Sequence, residues 1–88
     1  MNKLNAFRQT VDALGNEFDS HDFIRKLIEK HHVLYAVFLI RHRNVNTAHA
    51  EIARYLGKKA ATLKIHGSGE RKSEDIFGNE TSCTLWKK

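Results

Sequence analysis

Eighty-eight residues, 41% of them apolar, suffice for one domain with one modest core and exclude a second. The formal charge of +5 is uneven: residues 21–45 carry five cations against two anions and residues 46–72 six against two, while both flanks are net −1. Clustered positive charge attracts polyanions, usually nucleic acid, although mild basicity also serves solubility alone.

In chain order, Leu4, Phe7, Val11 and Leu14 recur at helical spacing before Gly15, which predicts a helix over residues 2–14. The next start signal is the best in the chain. Asp19 suits the N-cap, Asp22 follows three residues on, and Phe18 and Phe23 occupy the staple positions. A second helix is therefore expected over residues 20–31, carrying Phe23, Ile24, Leu27 and Ile28 inward. Residues 33–40 are apolar almost without a break. Periodicity cannot separate a buried strand from a buried helix in so short a run. The absence of Gly and Pro favours a helix over residues 33–43, closed by Arg41, His42 and Arg43 at its negative end.

A fourth helix is expected over residues 46–56, from the polar start Asn46–Thr47 through Ala48, Ile52, Tyr55 and Leu56 to Gly57. After it the texture changes. Residues 62–66 alternate as a strand does, Gly67-Ser68-Gly69 has turn chemistry, and residues 71–77 could return as the second arm of a hairpin. Segment 79–88 follows Gly78–Asn79 as a strand, with Cys83 and Leu85 on one face, or as a helical turn pairing Cys83 with Trp86. The expected fold is mainly α with a short C-terminal β-hairpin. Phe23, Leu27, Leu34, Phe38, Ile52 and Leu56 are the candidate core.

The stretch NTAHAEIARYLGKK (residues 46–59) reads as the middle of a helix-turn-helix. Three or four helices followed by a basic, glycine-tipped hairpin resemble the winged-helix variant of that family over residues 20–77, by element order. The tail SEDIFGNETSCTLW resembles small bacterial proteins and brings no function with it. The winged-helix resemblance implies one helix in the major groove, a neighbour bracing it, and a hairpin touching the backbone or minor groove. Two alignments arise: residues 33–42 brace and 47–56 read, or residues 47–56 brace and 58–64 begin a short reading helix. The first is preferred, because Gly67 leaves the second under three turns.

The candidate nucleic-acid contacts are Arg41, Arg43, His49, Arg54, Lys58, Lys59, Lys64, Arg71 and Lys72. Clustered Lys and Arg neutralise phosphates, and a few polar side chains reach base edges. His49, Ala50 and Arg54 would form the exposed face of the reading helix. Glu51 puts an anion there, and cations at helix ends are also expected without any ligand. DNA or RNA is therefore the expected partner. Phe and Tyr fall in core-like positions, so no stacking platform for single strands is evident.

The rival reading is a protein-interaction module. Residues 33–40 hold more apolar surface than one face of a small monomer's helix buries, which points to a homodimer; two-fold symmetry would also supply two half-sites. No cofactor or small-molecule substrate is expected. None of the six histidines forms an i, i+4 pair, so a metal site is not expected; His21 with Asp22, or His31 with His32, could meet further ligands only through tertiary folding. No nucleophile elbow or phosphate loop is present, and the chain is expected not to be an enzyme. Single Cys83 excludes an internal disulfide framework and suggests a reducing compartment. Residues 1–15 are mixed in charge, unlike a signal peptide, and the eight-residue apolar run falls short of the roughly 20 a span needs. A cytoplasmic protein that does not bind membranes is the expectation.

Overall fold

The computed structural model describes residues 2–88 and contains four helices and a three-stranded antiparallel sheet. Helix α1 spans Lys3–Asp12, and the Asn2 side chain caps it by accepting from the Asn5 N–H at 2.8 Å. It stops before residue 14 because Ala13 and Leu14 close a turn that leads into strand β1, Glu17–Asp19. No local pattern announced this strand. It exists by pairing with the distant C-terminal strand, Phe18 opposite Trp86.

Helix α2, Ser20–Lys30, starts as its sequence dictates. Asp19 accepts from the Asp22 N–H at 2.8 Å, and Asp22 accepts from the Asp19 N–H at 3.0 Å. The staple pair Phe18 and Phe23 is fully buried across this first turn. At His31 the backbone leaves the helical region (φ −138°, ψ 53°), so residues 20–43 form two helices; α3 is His32–His42. Arg43 ends it in the left-handed conformation, φ 55°.

Asn44 then caps α4, Val45–Lys58, accepting from the Thr47 N–H at 3.1 Å. Gly57 does not stop this helix; it is helical, and Lys59 is the C-cap. Residues 59–64 are hydrogen-bonded turns ending at Lys64, φ 59°, so the expected strand at residues 62–66 begins only at its last residue. Leu63 and Ile65 are both buried along this wound path.

The hairpin also differs from its expected position. Strand β2 is His66–Glu74 and β3 is Glu80–Lys87, in the sheet order β1-β3-β2. Gly67-Ser68-Gly69 lies within β2. Gly67 pairs with Trp86 and Glu70 with Thr84, so two residues oppose one in a bulge, and Gly69 accommodates it at φ 93°. The turn is made at residues 75–79, where Gly78–Asn79 has turn chemistry: Gly78 takes φ 83°, and Asp75 Oδ1 accepts from the Phe77 and Asn79 N–H groups at 2.8 and 3.0 Å.

The core unites Phe7 and Val11 of α1, Phe23, Ile24 and Leu27 of α2, Phe38 of α3, Ala48, Ile52 and Leu56 of α4, and Trp86 of β3. Leu34, expected in the core, is only half-buried. α3 turns Val33, Val37 and Ile40 to solvent, with 68%, 44% and 75% exposure. Among the described residues no helix is long and apolar enough to cross a membrane.

Candidate nucleic-acid interface

The C-terminal half of α4 sets Glu51, Arg54, Tyr55 and Lys58 at the i, i+3, i+4 and i+7 spacing that shares a helix face. Opposite them stands the end of α3, with Phe38, Arg41 and His42. Between the two lies a cleft of about 200 Å³, and Lys3 of α1 completes its wall. Three of the expected contacts, Arg41, Arg54 and Lys58, therefore converge.

Lys3 was not expected, because it lies in the weakly acidic first twenty residues. Its ammonium sits 4.6 Å from the Tyr55 ring centroid and 5.5 Å from that of Phe38. Lys59 approaches Tyr55 as well, at 6.0 Å. Tyr55 is held edge-on by Phe7, centroids 4.8 Å apart, so an ordered aromatic ring fixes where these ammonium groups lie. The one carboxylate in the cleft is Glu51, whose Oε1 is 3.4 Å from an Arg54 nitrogen. The Arg54 side chain is 76% exposed, and an ion pair so solvated holds its partner weakly.

The remaining expected contacts lie elsewhere. Arg43 and Lys64 are exposed at the two left-handed positions, outside the cleft. His49 is not on an exposed reading face. Its Nε2 is 2.7 Å from the Tyr35 hydroxyl and its ring stacks on Phe77, centroids 5.9 Å apart. Burial holds its pKa below the ordinary histidine value, against the opposing charge of Asp75. His49 thus pins α4 to α3 and to the hairpin turn. Ala50 and Arg54 remain exposed as expected.

Arg71 is also committed. Its Nε donates to Asp19 Oδ2 at 3.0 Å and an NH2 nitrogen to Asp22 Oδ2 at 3.0 Å. A guanidinium shared by two carboxylates is not free for phosphate. Lys72 is exposed on β2, but the hairpin end beyond it carries Glu74, Asp75 and Glu80. Arg25 fastens that end to α2 by donating to the carbonyls of Glu74 and Asp75. The hairpin is an acidic, docked element and not a basic wing.

The Arg71 network has an acid-stability consequence. Burial pushes the Asp19 carboxyl pKa up, but hydrogen bonds from the Asp22 N–H, Ser73 and Arg71, with the Arg71 charge, outweigh it, and the net direction is down. The folded state therefore binds this proton less readily than the unfolded chain. The stabilisation is complete above the unfolded pKa of about 3.9 and is lost as pH falls through the folded value. Arg71→Ala should move acid unfolding, followed by circular dichroism against pH, to a higher midpoint. Superimposable wild-type and variant profiles would contradict this.

Among the described residues, Asp19, His21 and Cys83 are brought together with ligand atoms that could hold a metal ion. Comparison with known protein families, with curated proteins and with solved structures yields no match to this chain.

Proposed function

We propose that this chain is a small nucleic-acid-binding domain that neutralises duplex phosphates in the cleft between α3 and α4. The observation that carries this reading is the convergence of Lys3, Arg41, Arg54 and Lys58 on one cleft, against a single carboxylate. Phosphate contacts of this kind set affinity and register, while base edges set preference. The helices-then-hairpin order supports a winged-helix-like arrangement in which α3 braces α4 through the Tyr35–His49 bond. In that arrangement α4 reads with Asn46, Ala50 and Arg54, spaced four residues apart and all exposed. The alternative alignment has only the turns of residues 59–64 to read with. Because the hairpin end is acidic, binding runs through the helices rather than through a wing.

The test is duplex DNA binding as a function of salt. Four phosphate contacts give a slope of log K against log salt of about −3.6, so affinity should fall roughly 150-fold between 50 and 200 mM salt. No detectable binding at low salt to duplex DNA, single strands or RNA would retire the reading.

The exposed Val33, Val37 and Ile40 favour a second role, self-association along α3. Beside them an apolar hollow of about 410 Å³ runs from Ala6 to Leu34 and His31, the last with a buried Nε2 that has no hydrogen-bond partner. A two-fold pairing through this face would give the domain two copies of the α4 face, as paired half-sites require. Equilibrium sedimentation at micromolar concentration should then report a dimer. A monomer across the whole range would leave α3 as an open face and remove the two-half-site picture.

A further inference from the structure

We infer that Asp19, His21 and Cys83 form a binding site for a zinc-class divalent cation where the start of α2 meets β3. A carboxylate oxygen of Asp19, a ring nitrogen of His21 and Cys83 Sγ all lie within 4.8 Å of one another. His21 Nδ1 is 3.5 Å from Cys83 Sγ. A tetrahedral ion with Zn–S of about 2.3 Å and Zn–N of about 2.0 Å separates two such ligands by about 3.5 Å. Two of the three ligands therefore already span one edge of the coordination tetrahedron. The carboxylate needs to close by no more than about 1.5 Å to complete a face.

A hydroxyl lies beside two of the three side chains. Ser73 Oγ is 2.8 Å from His21 Nδ1 and 3.8 Å from Cys83 Sγ. An ion would take the place of that hydroxyl, which can rotate away.

The surrounding groups orient the ligands as outer-shell partners of metal sites do. His21 Nε2 lies 3.1 Å from Thr81 Oγ1; with Nε2–H donating to Thr81, the Nδ1 lone pair faces the cluster. Arg71 Nε donates to Asp19 Oδ2 at 3.0 Å and fixes that carboxylate. A thiolate and an imidazole select zinc-like ions over magnesium or calcium. Entry is open, since His21 and Cys83 both line a groove of about 330 Å³ between α4 and the sheet, which also leaves a fourth position for water. The ion would tie the first turn of α2 to β3, a staple of the kind small domains use.

Cobalt(II) titration of the untagged full chain tests this directly. One equivalent should produce a thiolate-to-cobalt charge-transfer band, which zinc then bleaches, and zinc but not magnesium should raise the melting temperature. Cys83→Ser should abolish the band. His21→Ala should weaken cobalt binding at least tenfold. Ser73→Ala should keep the band with equal or tighter affinity, whereas a site that is only a hydrogen-bond cluster would bind no metal in any form. Absence of the band in the wild-type chain at saturating cobalt overturns the inference. So does a band that His21→Ala leaves unchanged in strength and affinity.

Discussion

Replacing Phe7 with Ala should cost about 3–5 kcal/mol. That is a large part of a total stability that, for a chain of 88 residues, amounts to roughly 4–13 kcal/mol. The ring is fully buried and packs against Phe23 at 4.9 Å, Tyr55 at 4.8 Å and Phe38 at 6.3 Å between centroids. Those partners come from α2, α4 and α3, so Phe7 is where α1 meets every other helix. Walls built on three separate helices cannot collapse into the space without shifting the helices themselves, and the cost should lie near the upper end. Leu34→Ala provides the contrast. Its side chain is half-buried, so its truncation should cost clearly less than that of the fully buried Leu27. Urea unfolding with an unchanged dependence on denaturant measures both. A Phe7→Ala loss below about 1.5 kcal/mol would mean that the helices repack freely around the gap.

The features legible in the sequence are those whose causes are local. Asp19, Asp22, Phe18 and Phe23 lie within six consecutive positions, and together they dictate the start of α2 whatever the rest of the chain does. The inward faces of α1, α2 and α4 follow equally from helical spacing, and Phe23, Leu27, Phe38, Ile52 and Leu56 are buried as expected. Distant partners decide the rest. Strand β1 has no signal of its own until β3 lies beside it. Gly67-Ser68-Gly69 has the composition of a turn, but a bulge against β3 uses its freedom, and the Asp75 carboxylate makes the turn.

The candidate interface divides in the same way. That the middle of the chain is basic is visible in composition. Which cations are free is not, because Arg71 is claimed by Asp19 and Asp22 and His49 by Tyr35 and Phe77. Lys3 enters the cleft only because Phe7 brings the start of α1 against Tyr55. A signal was available in hindsight: Lys3 and Phe7 are four apart on one helix face, so burying Phe7 carries Lys3 to the same side.

This division between free and committed cations gives the sharpest expected result for nucleic-acid binding. Arg41→Ala combined with Lys58→Ala removes two of the four converging charges, so the salt slope should flatten from about −3.6 to about −1.8. Lys3→Ala should flatten it by about one unit, despite lying far from the helix-turn-helix stretch in sequence. Arg71→Ala with Lys72→Ala should leave the slope where it is, because Arg71 already neutralises two carboxylates and Lys72 stands beside an acidic hairpin end. Glu51→Gln should act in the opposite direction. It removes the one carboxylate in the cleft and releases Arg54, so binding should tighten at low salt and converge with wild type as salt screens the difference. Circular dichroism and melting curves separate these effects from folding, since Arg41, Arg54 and Lys58 are exposed. If the hairpin pair changes the slope and the cleft pair does not, the phosphates lie along the sheet, and the α3–α4 cleft is not the interface.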